Sequence, residues 1–223
     1  MNNTTCFAGD TPVGGIVLFN GRRMRVVDNE TILYGLFDCE SGEIDGVCVS
    51  HVKNMFRLFH GSRFNQDISD WDVSSVTNMA HMFKNDKTFN QDISHWDVSN
   101  VENMASMFDG AEAFNQDIGK WDVSKVTDMD SMFYCAKAFN QNIGAWDVSN
   151  VIYMLYMFFC ADSFNQAISR WDVSSVIDMR VMFYCAKAFN QDIGRWDVAS
   201  VKNMGNMFKK AEAFDQDLSR WDV

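Results

Sequence analysis

The sequence is short of most features that would give it away. No apolar run approaches the roughly 18 to 20 residues of a membrane-spanning helix, so a transmembrane segment is not expected. Residues Met1-Asn2-Asn3-Thr4-Thr5 carry neither the basic nor the apolar region of a signal peptide. Six Cys in 223 residues are too few for a disulfide scaffold. Basic residues are outnumbered, 19 against 30 acids, for a formal charge of −11. That balance lacks the positive footprint that nucleic-acid binding needs. There is no Gly-x-Ser-x-Gly, no phosphate loop and no His-Glu-x-x-His. The four His stand at no motif spacing. Seven similar carboxylates do not make a glycosidase, which needs two unequal environments. No catalytic residue, cofactor or metal site is assigned, and the chain is read as a non-enzyme.

What the sequence does have is apolar and repetitive. Hydrophobic residues make up 47%, more than a disordered acidic chain would carry. All seven Trp recur every 25 residues: Trp71, Trp96, Trp121, Trp146, Trp171, Trp196 and Trp221. Phe64 through Phe214, Met79 through Met204 and Met82 through Met207 keep the same period. A fixed period of this size indicates a stacked array and takes precedence over any domain count. The organisation read from it is an N-terminal cap over 1–43, a divergent first coil over 44–63, and six full repeats plus a partial seventh over 64–223. In the cap, two apolar runs flank Asn20-Gly21, the signal of a β-hairpin.

Within a repeat, Val76, Met79, Met82 and Phe83 have the spacing of one helix face, with Asp72, Ser74 and Ser75 ahead as N-cap candidates and a C-cap glycine such as Gly110 behind. Residues 89–98 predict a short strand near Gln91–Ile93 or Trp96–Val98. The expected fold is therefore an α/β repeat: a right-handed, leucine-rich-repeat-like solenoid of short strand plus short helix, with a β-hairpin cap. Strands stack about 4.8 Å apart and helices 8–10 Å apart, so such a solenoid should curve.

The phrase Phe89-Asn90-Gln91-Asp92-Ile93-x-x-Trp96-Asp97-Val98-Ser99-Asn100-Val101-x-x-Met104 resembles the bacterial surface-protein 26-residue repeat. That family is known from mycoplasma lipoproteins and is grouped with BspA-like leucine-rich-repeat surface proteins. The resemblance covers roughly residues 64–223 and extends weakly back to about residue 40. It implies a cell-surface or secreted protein used in adhesion or host interaction.

Each repeated column has a candidate role. Asp72, Asp97, Asp122, Asp147, Asp172, Asp197 and Asp222 read either as a calcium ladder or as helix N-caps, the second being favoured. Asn65, Asn90, Asn115, Asn140, Asn165 and Asn190 read as an inward stack satisfying the backbone of neighbouring coils. The Trp column is read as structural too. Cys135, Cys160 and Cys185 read as buried free thiols, and Cys39 with Cys48 as a possible disulfide.

Binding in such a chain must use positions where the repeats differ. In the fourth full repeat the usual polar positions become Ile152, Tyr153, Leu155 and Tyr156, flanked by Tyr134, Val181 and Tyr184. An exposed aromatic patch of this kind suits a protein or glycan partner. Two other functions remain open at this point: a calcium-stabilised module, and a spacer that self-assembles through an open edge near Trp221-Asp222-Val223. The acidity itself says little about partners. Twelve of the 30 acids belong to the Asp72 column and the parallel Asp67 column.

Overall fold

The computed structural model describes residues 5–33, 35, 36 and 45–222. A small sheet stands at the N-terminal side, ordered β1-β2-β3, with β1 at Ile16–Phe19, β2 at Arg22–Val26 and β3 at Gly46–Cys48. β1 and β2 pair antiparallel across Asn20-Gly21, both of which adopt the positive φ that such a tight turn requires. β3 joins β2 in parallel. Among the described residues, helical geometry is confined to 32, 33, 35 and 36. The Asp28 carboxylate starts this turn by accepting the N–H groups of Glu30 and Thr31, each at 3.1 Å.

The repeats contain neither the expected helix nor the expected strand, so the strand-plus-helix solenoid is corrected. Residues 76–86 run through successive tight turns, closed by Met82 N–H to Met79 O, Lys84 N–H to His81 O and Asp86 N–H to Phe83 O, at 3.0–3.2 Å. His81 and Asn85 have φ of 59° and 60°, and equivalent residues repeat this left-handed geometry along the chain. A left-handed residue interrupts a right-handed helix. Gly110, expected as a helix C-cap, belongs to the Asn85 column of left-handed turns.

The freed backbone groups bond the next coil instead. Met79, His81, Phe83 and Asn85 donate to the carbonyls of Asn103, Ala105, Met107 and Asp109 at 2.6–3.0 Å. Parallel bridges link Asn78 to Asn103, Asn103 to Asp128, Asp128 to Tyr153, Tyr153 to Asp178 and Asp178 to Asn203. Coil spacing explains why no helix fits. Rings of the Phe83 column stack 5.4–5.8 Å apart and those of the Phe89 column 5.9–6.0 Å apart. Packed helices need 8–10 Å, which this spacing cannot supply.

One apolar core runs from Val27 to Met207, made of in-register columns of Val, Met, Phe, Ile and Trp. Each Trp from Trp96 to Trp221 also spans coils through its ring N–H. Trp146 Nε1 donates to Ile118 O at 3.0 Å and Trp171 Nε1 to Ile143 O at 3.1 Å. Trp146, Trp171, Trp196 and Trp221 stack at 6.4–6.5 Å with nearly parallel rings. In the Phe89–Trp96 segment side chains thus make bonds that a strand would give to its backbone.

Candidate functional site

The repeated polar columns are turn-formers. Oδ1 of Asp72, Asp97, Asp122, Asp147, Asp172 and Asp197 accepts the N–H two residues on, at 3.0–3.1 Å. This is an Asx turn, in which the side chain imitates a backbone carbonyl. The expected helix N-cap is corrected accordingly, because no helix follows. Among the described residues no cluster of His, Cys, Asp or Glu is arranged to hold a metal ion. The Asn column lies at the surface rather than inward: Asn65 and Asn90 are exposed, Asn115, Asn140, Asn165 and Asn190 half-buried. Each Oδ1 accepts the backbone N–H of the residue one coil on, from Asn90 through Asp215, at 2.9–3.0 Å.

The Asn78 column also forms Asx turns and breaks once, at the fourth repeat. Asn78, Asn103, Asp128, Asp178 and Asn203 each accept the N–H two residues on, at 2.9–3.0 Å. Tyr153 stands in this column and has no such acceptor. The Leu155 N–H it would have served donates instead to Asp130 Oδ1 of the preceding coil, at 2.7 Å. Asp130 occupies a place held by Ala80 and Ala105 in earlier coils. Burial, then the charge of Asp128, pushes its carboxyl up to about 6, although the Leu155 N–H and Arg180 oppose the shift. Arg180 binds Asp178 at 2.6 Å. Burial raises the Asp178 carboxyl, but the Arg180 hydrogen bonds outweigh this and leave it below the usual range.

The aromatic residues form two kinds of surface. Tyr134, Phe159 and Tyr184 stack across three coils at 4.5 and 4.9 Å with rings 2° from parallel. The ring of Tyr156 stands edgewise to Tyr134 and Phe159, at 6.1 and 5.8 Å. Lys210 Nζ lies 5.6 Å over the Tyr184 ring. Burial raises the Tyr134 hydroxyl above its ordinary value. Tyr153 and Tyr156 are exposed, at 42% and 37%, while Ile152 and Leu155 are half-buried. The structure therefore brings Tyr134, Tyr156 and Tyr184 together around Phe159, which belongs to the group although the sequence comparison of polar positions passed over it. Asp130 and Arg180 were missed as well. Their signal was available: the Ala80 column turns acidic, apolar and basic in three consecutive coils.

Tyr156 and Val181 also carry strain. Both sit at the left-handed position that Ser106, Ser131 and Asn206 occupy in other coils, with φ of 58° and 51°. A β-branched residue is disfavoured there, and bulky residues in rare backbone regions gather at functional sites. Val181→Asn is expected to raise stability by about 1 kcal/mol. A higher urea midpoint would register this, and a lower one would contradict strain at that residue.

Cys135, Cys160 and Cys185 are free and lie beside the aromatic stack, half-buried rather than buried. Burial raises the Cys135 thiol, and burial with the flanking Cys135 and Cys185 pushes Cys160 up to about 12. The Cys39–Cys48 pairing involves a residue outside those described, since Cys39 lies in 37–44; Cys48 itself is a free thiol. A cavity of about 430 Å³ separates the sheet from the first coils, lined by Leu36, Asp45, Arg63 and Trp71 among others. Leu36 and Asp45 flank the undescribed residues 37–44, so no site is assigned there. At the last coil, Met204, Met207, Phe208, Leu218 and Trp221 line an apolar hollow. No described helix is long and apolar enough to cross a membrane.

Comparison with known proteins gives one match. The family described as "Mycoplasma protein of unknown function, DUF285" matches residues 31–146 and 132–223. No curated protein and no solved structure matches the chain.

Proposed function

We propose, for a chain that belongs to the mycoplasma family of unknown function DUF285, that it is a non-enzymatic binding protein whose fourth repeat engages a protein partner. Presentation at the cell surface or after secretion, and kinship with BspA-like surface proteins, are parts of the same proposal. The observation that carries it is the cluster of departures in one place. Tyr153 gives up an Asx turn, Tyr156 takes a strained backbone, and Asp130 compensates from the preceding coil. Each departure disfavours the local fold, and together they leave Tyr153 and Tyr156 exposed. Exposed Tyr bordered by Arg180 has the composition of interaction hot spots.

Ring geometry favours a protein over a glycan. A sugar stacks its C–H face on an aromatic face, but Tyr134, Phe159 and Tyr184 turn their faces to one another, and Lys210 lies over Tyr184. What this stack offers a partner is ring edges and hydroxyls. The test applies immobilised chain to solubilised cell-surface proteins and, in parallel, to a glycan array. Protease-sensitive binding should fall at least about tenfold in Tyr153→Ala/Tyr156→Ala, roughly 1.4 kcal/mol. Binding that survives the double substitution, or that occurs on glycans alone, would contradict the proposal.

A further inference from the structure

Two thiols far from the aromatic face lie together at the N-terminal sheet. Cys6 is 1% exposed, forms a parallel bridge with Trp71 and donates its N–H to Asp70 O at 2.8 Å. Cys48 ends β3 and is fully buried. Its Sγ donates to the carbonyl oxygen of Cys6 at 2.9 Å, and the two thiols are close enough to perturb each other's ionisation. Ala8, Met24 and Val26 complete a small apolar cluster around them, separate from the main core. Ser50 Oγ, 3.8 Å from Cys48 Sγ, accepts the N–H of Ala8 at 3.2 Å.

We infer that Cys6 and Cys48 are an oxidisable pair, joined as a disulfide when the chain meets a disulfide oxidant such as oxidised glutathione. The Cys48 thiolate attacks one oxidant sulfur and expels one glutathione thiolate. Cys6, deprotonated, then attacks the Cys48 sulfur of the mixed disulfide and expels the second. Two protein thiols lose two protons and two electrons, and the oxidant is reduced to two thiols. Cys48, fixed at the end of β3 while the Cys6 segment opens, is the first nucleophile. In the closed pair, hydrogen bonds from Cys6 and Ser50 hold its thiol below the ordinary value, whereas the bond to Cys48 and burial push Cys6 up.

The fold supplies both proximity and access. Among the described residues, the segment around Cys6 is held by few bonds, Cys6 N–H to Asp70 O and Ala8 N–H to Ser50 Oγ among them. Segments held so lightly open locally without global unfolding, which admits an oxidant to a pair that is buried when closed. Once joined, Cys6 and Cys48 would staple that segment to β3 across a separation of 42 residues.

The test incubates the full chain with oxidised glutathione, quenches it in acid, blocks remaining thiols after unfolding and maps peptides without reduction. The expected result is one cross-linked species holding Cys6 and Cys48, two hydrogens lighter than its parts, that separates on reduction. Trypsin cutting at Arg22 or Arg23 should then free the N-terminal peptide from the reduced protein and leave it attached in the oxidised one. Recovery of Cys6 and Cys48 as blocked thiols would overturn the inference, as would a Cys39–Cys48 link in place of this one.

Discussion

Phe158→Ala is expected to destabilise the chain by about 3–5 kcal/mol, and Phe208→Ala by clearly less. Phe158 is fully buried, with Phe133 at 5.6 Å on one side, Phe183 at 5.4 Å on the other and Phe164, the first residue of the next repeat, stacked at 4.1 Å. Removing it leaves a cavity whose walls belong to three coils, each fixed by its own inter-coil bonds and unable to collapse inward. Phe208 is only partly buried, although it keeps Phe183 at 5.7 Å and Phe214 at 4.0 Å. In a stack where each coil touches its neighbours, a central defect uncouples the two halves and a peripheral one does not. Urea unfolding should therefore show both a lower midpoint and a broader transition for the central variant. Equal costs at the two positions would contradict a single continuous core.

Asp130→Asn is expected to stabilise the chain at pH 7 by about 1–2 kcal/mol, after allowance for the solvent screening of a half-buried group. The amide oxygen can still accept the Leu155 N–H, and the charge facing Asp128 and Asp178 is gone. Asp130→Ala should be less stable than Asp130→Asn by about 1–3 kcal/mol, because it strands that N–H. The pH dependence has a definite sign. The folded carboxyl sits near 6, above the ordinary 3.8, so the native state binds a proton more readily than the unfolded chain. Its stabilising contribution is complete below about pH 4 and is lost as the pH rises through about 6. Wild type minus Asp130→Asn should trace that curve in a series of unfolding measurements. Carboxylates held below their usual range, such as Asp122 and Asp172 by the Ser124 and Ser174 hydrogen bonds, act oppositely at lower pH and cancel in the difference.

The 25-residue period was legible because most inward columns are one residue type copied along the chain. The hairpin at Asn20-Gly21 was legible because that pair supplies two positive φ angles. The helix was a misreading with a physical cause. Val76, Met79 and Met82 stand three residues apart, a spacing shared by a helix face and by consecutive tight turns closed from i+3 to i. The left-handed column could have separated the two, since Ser106, Ser131 and Asn206 suit a turn, but His81, Tyr156 and Val181 obscure it. The strand failed for a different reason. Asn90 and Trp96 carry inter-coil bonds on their side chains, so that stretch needs no backbone ladder. At the candidate site, exposure of Tyr153 and Tyr156 followed from comparing repeats. The role of Asp130 did not, because it depends on which coil supplies a missing acceptor.

On the function proposed above, the fourth repeat departs from its sisters for the sake of binding and at a cost to its fold. The most direct measurement takes Tyr153→Asn/Tyr156→Ser, which returns both positions to residues used elsewhere in the same columns, and records melting temperature and partner binding on one preparation. A higher melting temperature together with lost binding is expected. A lower melting temperature with binding intact would contradict it.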